Sequence, residues 1–267
     1  MEKLINIARG LLESGKVKTI IGYVEGPTGR IRAAFIRKPE ECSKLLINQN
    51  CIQNLAVYLL KPEIREFGRP AVIANIATQR SVLQLAQECQ IADGEIDVIG
   101  FYAGNTIVEF KNFTEIEQRL KEVKLELTSD DAKLIEKINA MDTKQKWQFW
   151  VDEFSRCIKC YACRSSCPMC YCSRCLCDCN QPQILSAPSH LLGNLEWHIT
   201  RAMHLAGRCV ACGDCGRACP VGIPLHILTM KIAEDVLKNF GKRAGTTLVK
   251  EYALSSFKND DREDFIK

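Results

Sequence analysis

With 267 residues, 46% of them hydrophobic, the chain is long enough to bury a substantial core, and a prior of about 150 residues per domain suggests two domains. No apolar run approaches the ~18 residues of a spanning helix, and the opening stretch MEKLINIARGLLESGK sets charges between apolar residues at helical spacing, unlike a signal peptide. The formal net charge of +4 is accounted for between Arg156 and Cys219, where seven basic residues face three acids, and this placement argues against a nucleic-acid partner.

Residues 1–125 read as a small α/β domain. Leu4, Ile5, Ala8, Leu11 and Leu12 make an amphipathic first helix. Val17 to Val24 and Ile31 to Arg37 read as strands of a hairpin, joined by a Gly-Pro-Thr-Gly turn between Gly22, Gly26 and Gly29. Pro39 to Leu60 reads as mostly helical. Ala71 to Ile76 is a buried strand, Arg80 to Gln90 a helix with Val82, Leu83, Leu85 and Ala86 inward, and Ile96 to Tyr102 another strand. Strand, helix and strand in that order predict a parallel βαβ pair. Cys42, Cys51 and Cys89 in this region read as buried free thiols.

A helical linker spans 126–150. Ser129, Asp130 and Asp131 cap a helix to about Ala140, and a second helix begins near Asp142 with Trp147, Trp150 and Phe154 on one packing face. The cysteine-rich domain, 151–240, carries further helices at Trp197 to Ala206 and Pro224 to Phe240, and 241–267 forms a polar tail.

Thirteen of the sixteen cysteines fall between Cys157 and Cys219. CIKCYACRSSCP and CVACGDCGRACP both read C-x2-C-x2-C-x3-C-P, the ligand spacing of two-cluster ferredoxins, in which the fourth cysteine of each run serves the other cluster. Cys157, Cys160, Cys163 and Cys219 are therefore assigned to one 4Fe–4S cluster, and Cys209, Cys212, Cys215 and Cys167 to a second. Zinc favours separated C-x2-C pairs, and disulfides belong to small secreted domains, so both fit less well. The arginines and the lysine around the runs offset the negative charge of thiolate-ligated clusters.

Cys170, Cys172, Cys175, Cys177 and Cys179 are more than two clusters need. Their C-x-C alternation leaves a third cluster and a zinc site both open. His190, His198, His204 and His226 read as hydrogen-bonding or packing residues. No G-x-G-x-x-G follows a strand, no P-loop occurs, and no nucleophile has a neighbouring base. The reading is of a cytoplasmic protein of anaerobic metabolism with reduced thiols and no direct membrane insertion.

LLESGKVKTIIGYVEG, FIRKPEE, QNLAVYL and RPAVIANIATQRSVLQLAQECQI followed by VIGF resemble the N-terminal region of the β subunits of deazaflavin-dependent hydrogenases and formate dehydrogenases. CIKCYACRSSCPMCYCSRC and HLAGRCVACGDCGRACPVGIPL resemble iron–sulfur subunits found with heterodisulfide-reductase-type complexes. The likeness extends over roughly residues 10–230. It implies an α+β chain, a small α/β domain followed by an α-helical ferredoxin-like two-cluster domain. It also implies a non-catalytic subunit that relays single electrons between a formate dehydrogenase or hydrogenase subunit and a flavin-containing partner of heterodisulfide-reductase type. The alternative is a flavin-binding β subunit, holding FAD and reducing a deazaflavin or similar soluble carrier.

Overall fold

The computed structural model describes residues 1–123, 128–176 and 182–250. Cys177, Cys179 and the charged end of the tail lie outside the described residues.

Five strands form one mixed sheet: β1 (Thr19–Glu25), β2 (Ile31–Ile36), β3 (Pro70–Ala74), β4 (Asp97–Tyr102) and β5 (Thr106–Phe110), in the order β2-β1-β3-β4-β5. β1, β3 and β4 run parallel, and the two edge strands are antiparallel to their neighbours. All of β3 is buried and only Glu25 of β1 is exposed, as expected of central strands covered on both faces. β2, at the edge, exposes Arg32 and Phe35.

Ten α-helices accompany the sheet among the described residues: α1 (Glu2–Glu13), α2 (Pro62–Arg65), α3 (Ile76–Gln87), α4 (Phe113–Leu120), α5 (Ser129–Ala140), α6 (Thr143–Ser155), α7 (Ala162–Ser165), α8 (Leu191–His204), α9 (Asp214–Arg217) and α10 (Leu225–Phe240). α3 crosses from β3 to β4, which is the expected βαβ pair, and starts four residues earlier than the sequence suggests because Asn75 caps it through Thr78 N–H at 2.8 Å. None of the helices among the described residues is long and apolar enough to cross a membrane.

Three expectations are corrected. Residues 39–60 are not mostly helical: only Pro39–Lys44 and Leu55–Tyr58 coil, both as 3₁₀ turns. Asn48 Oδ1 accepts from Asn50 N–H and Asn54 Oδ1 from Ala56 N–H, local bonds that compete with the helical ladder. Cys51 accordingly stands in a loop. Cys89 is exposed, because the chain turns left-handed there (φ 57°) just past the end of α3, whereas Cys42 and Cys51 are buried. The cap of α5 is Thr128, whose hydroxyl accepts from Asp131 N–H at 3.1 Å, with Asp130 and Asp131 in its first turn.

The main apolar core lies on the sheet and includes Met169 and Leu205, with Cys167, Cys170 and Cys209 packed against it. A second core gathers Phe154, Cys163, Trp197, Cys215, Ile223 and Leu225. Trp150 stacks on Phe154 at 5.5 Å, but Trp147 is 56% exposed and takes no part in that face.

Candidate metal centre

The two cysteine runs fold alike. In each, the second residue after the first cysteine is left-handed (Lys159, φ 54°; Ala211, φ 60°), and so is the fourth (Tyr161, φ 57°; Gly213, φ 79°). Three of these four carry a Cβ, so the left-handed backbone costs energy and persists only where its surroundings hold it. The conformation turns main-chain N–H groups inward: Lys159 N–H reaches Cys157 Sγ, and Ala211 N–H reaches Cys209 Sγ, both at 3.4 Å. A single helical turn follows in each run, α7 and α9, and delivers Cys163 and Cys215. Cys167 and Cys219 come next, their N–H groups bonded to Arg164 and Gly216 carbonyls at 3.1 Å.

The runs then exchange their fourth cysteines. Cys157, Cys160, Cys163 and Cys219 border one cavity, and Cys167, Cys209, Cys212 and Cys215 border another. The two cavities are similar in size. Among the described residues, no three His, Cys, Asp or Glu side chains converge as ligands of a single ion. Four thiols bordering one cavity suit a polynuclear centre with one thiolate per metal.

The surroundings favour an anionic, sulfur-rich group. Ile223 N–H points at Cys219 Sγ, 3.4 Å away. His198 Nε2 lies beside the first cavity, and His226 Nδ1 and Arg201 Nε beside the second; all three are buried with no hydrogen-bond partner among the described residues. Burial pushes the Cys163 and Cys215 thiols up to about 11 and about 12, so a metal bound there would have to displace their protons. Cys170 donates to Cys167, which pushes the Cys167 thiol down and its own up.

Each cavity is braced from outside. Asn194 Nδ2 donates to the Phe154 and Cys157 carbonyls at 3.0 and 2.9 Å, fixing the exit of α6 into the first run. His198 is sandwiched between Phe154 (4.4 Å) and Trp197 (5.5 Å), and burial lowers it to about 4, so it is a neutral ring at physiological pH. Asp214, between two cysteines of the second run, accepts Asn54 N–H at 2.7 Å and so ties that run to the sheet domain. Gly216 leaves room for His226, whose Nδ1 would lie 2.0 Å from an added Cβ. His226 Nε2 bonds Asp131 at 2.8 Å, joining α10 to α5.

Cys170, Cys172 and Cys175 border a third cavity with Arg164, Arg201 and Arg208. A fourth, of about 1330 Å³, opens past the C-terminal end of β3 at the start of α3 and is lined by Arg80, Arg217 and Arg243 together with Cys209 and Cys212. Buried Arg80 leaves Nη1 without a partner among the described residues. The hairpin turn at Gly26 and Gly29 closes on itself through Gly26 N–H to the Arg30 carbonyl at 2.8 Å.

The chain is similar to the F420-dependent formate dehydrogenase subunit beta of Methanocaldococcus jannaschii, 29% identical over 127 residues, which cover 46% of this chain and 32% of the relative. It is also similar to the F420-dependent formate dehydrogenase 1 subunit beta of Methanococcus maripaludis, 32% identical over 112 residues, 39% of this chain and 28% of that one. The matched part thus spans about a third of the length of these relatives. No family model matches the chain.

Proposed function

We propose that the chain is an iron–sulfur electron-transfer subunit of a formate dehydrogenase-type complex, with Cys157, Cys160, Cys163 and Cys219 holding one 4Fe–4S cluster and Cys209, Cys212, Cys215 and Cys167 the other. The observation that carries this reading is the exchange of Cys167 and Cys219 between two runs of matched backbone, each cavity receiving three thiols from one run and one from the other. When bound, such clusters supply one-electron transfer without proton or group chemistry. The protein's own part is to present thiolates, to aim the Lys159, Ala211 and Ile223 N–H groups at sulfur, and to keep water away with Trp197, Phe154 and Ile223. Cys160 is exposed and Cys215 buried, so the first centre is the one nearer solvent and a partner.

The similarity to formate dehydrogenase β subunits supports a catalytic formate-oxidising subunit as one partner; a flavoprotein of heterodisulfide-reductase type is the other in this reading, in an anoxic cytoplasm. Cys170, Cys172, Cys175, Cys177 and Cys179 supply a further metal site in this reading, a third cluster using four of the five or a zinc site. Protein purified without oxygen should carry about eight irons in the two centres and show the paramagnetic signal of reduced clusters. A colourless preparation with zinc in place of iron would overturn the assignment.

A second reading, a flavin-binding subunit that reduces a soluble carrier, is favoured by the arginine-lined cavity beside Cys209 and Cys212, at the strand ends where open α/β sheets bind ligands. Stoichiometric flavin in the native preparation would favour it; flavin-free protein whose iron is reversibly reduced favours the relay.

A further inference from the structure

Arg201 lies between the two cysteine cages. It is 5% exposed on α8, and its Nη2 donates to the Cys163 carbonyl of the first cage at 3.0 Å. The guanidinium also borders the second cavity, alongside Cys167, Cys209, Cys212 and Cys215, and the third, alongside Cys170. Its stem crosses Trp197, with the cation 5.8 Å from the ring centroid. Its Nε is buried and has no partner among the described residues.

A buried cation needs a compensating anion, and a guanidinium is charged at every relevant pH. Each cage also has a cation of its own, which changes at Arg201 leave in place: Lys159, 8% exposed and donating from Nζ to the Ser186 carbonyl, at the first, and Arg217, whose Nη2 donates to the Cys212 carbonyl at 2.7 Å, at the second. Arg201 borders the second cavity and is absent from the residues that border the first. We propose that Arg201 is a positioning residue that sets the relative reduction potentials of the two cages: its fixed charge favours the reduced, more negative state of both, and of the cage of Cys167, Cys209, Cys212 and Cys215 more strongly. An electron shared between the cages is thereby biased toward the second, the one packed against the sheet domain and farther from exposed Cys160. The inference rests on the two-cluster reading.

The test is a potential-controlled titration of oxygen-free protein, with each cluster followed by its paramagnetic signal, in wild type, Arg201→Met, Arg201→Gln and Arg201→Lys, and iron measured in each. Iron-free wild type would overturn the cluster reading itself, whatever the variants do. In loaded protein, the neutral variants should move electron partition at least tenfold toward the first cage, which is 59 mV for a one-electron couple. Arg201→Lys should stay within about threefold of wild type. Equal shifts of both cages, or none, in a loaded neutral variant overturn the proposal. Should the neutral variants lose iron, Arg201→Lys decides by its potentials: loaded protein whose partition stays within about threefold of wild type sustains the proposal, and a larger shift, or loss of iron here too, overturns it.

Discussion

Glu88, just beyond the end of α3, and Arg208, immediately before Cys209, form a buried two-pronged ion pair with contacts of 2.6 and 2.8 Å. Tyr171 donates to the same carboxylate and Gln84 reaches it at 2.8 Å, so one side chain of the sheet domain gathers both the approach to the second cysteine run and the segment after the first. Removing one partner leaves the other charge buried and alone, at about 3 kcal/mol or more. Glu88→Ala should therefore destabilise the protein by about that much in denaturant unfolding, and Glu88→Gln combined with Arg208→Met should cost less than the sum of the single changes. Additive losses would mean that the two side chains do not act as a pair.

The same pair predicts a dependence on pH. Burial pushes the Glu88 carboxyl up, but the hydrogen bonds from Arg208, Tyr171 and Gln84 outweigh it and hold the group below its ordinary value. A carboxyl depressed by folding adds stability above its unfolded value of about 4.3, and loses that contribution as pH falls through the folded value. The stability gap between wild type and Glu88→Gln should be constant near neutrality and narrow below about pH 4. A gap that widens in acid would contradict this sign.

Cross-ligation gives a prediction that a run-by-run arrangement does not share. If Cys219 serves the cage of Cys157, Cys160 and Cys163, then Cys160→Ala and Cys219→Ala damage one cluster, and their combination should lose no more iron than the worse single variant. Cys212→Ala with Cys219→Ala strikes both cages and should lose nearly all of it. Iron analysis and the reduced-state signal of each variant decide, and the reverse pairing of losses would assign Cys219 to the second cage.

Gly216→Ala places a methyl 2.0 Å from His226 Nδ1, so either the ring or α9 must move. Overpacking of this kind costs about 1–3 kcal/mol. The movement would also break the His226–Asp131 bond between α10 and α5. Lower stability together with loss of the second centre before the first is the expected result. Wild-type unfolding and iron retention in the variant would show that the ring yields freely.

The parallel strands were legible because fully buried strands read as continuous apolar runs, as in PAVIA. The antiparallel β5 was missed: TIVEF is short, half-exposed and separated from β4 by only three residues. Helix was over-read in 39–60 because its apolar residues recur at suggestive intervals while Asn48 and Asn54 bond locally and divert the backbone. The thiols bordering the cavities stand out by spacing alone. Arg201, His198 and His226 do not, since they arrive on helices that meet the cages only in three dimensions; Arg201 bonds a carbonyl 38 residues away. One faint signal existed for them: a cation and two imidazoles on segments flanking the second run, with few acids nearby to account for them.

Thiol reactivity separates the cysteines of the sheet domain. Alkylation requires thiolate and access. Burial raises the Cys42 and Cys51 thiols, and both side chains lie in the main core, whereas Cys89 is exposed at the turn after α3. Brief iodoacetamide treatment of the native, iron-loaded protein, followed by peptide mass analysis, should label Cys89 and spare Cys42 and Cys51; all three should react after denaturation. Cys89→Ser should remove that fast-labelling peptide and leave stability within about 0.5 kcal/mol, as surface changes usually do. Labelling of Cys51 at the rate of Cys89 would mean that the loop of Asn48 to Asn54 opens readily in the native state, and that the Asn54–Asp214 tie between the sheet domain and the second cage is weaker than its 2.7 Å geometry implies.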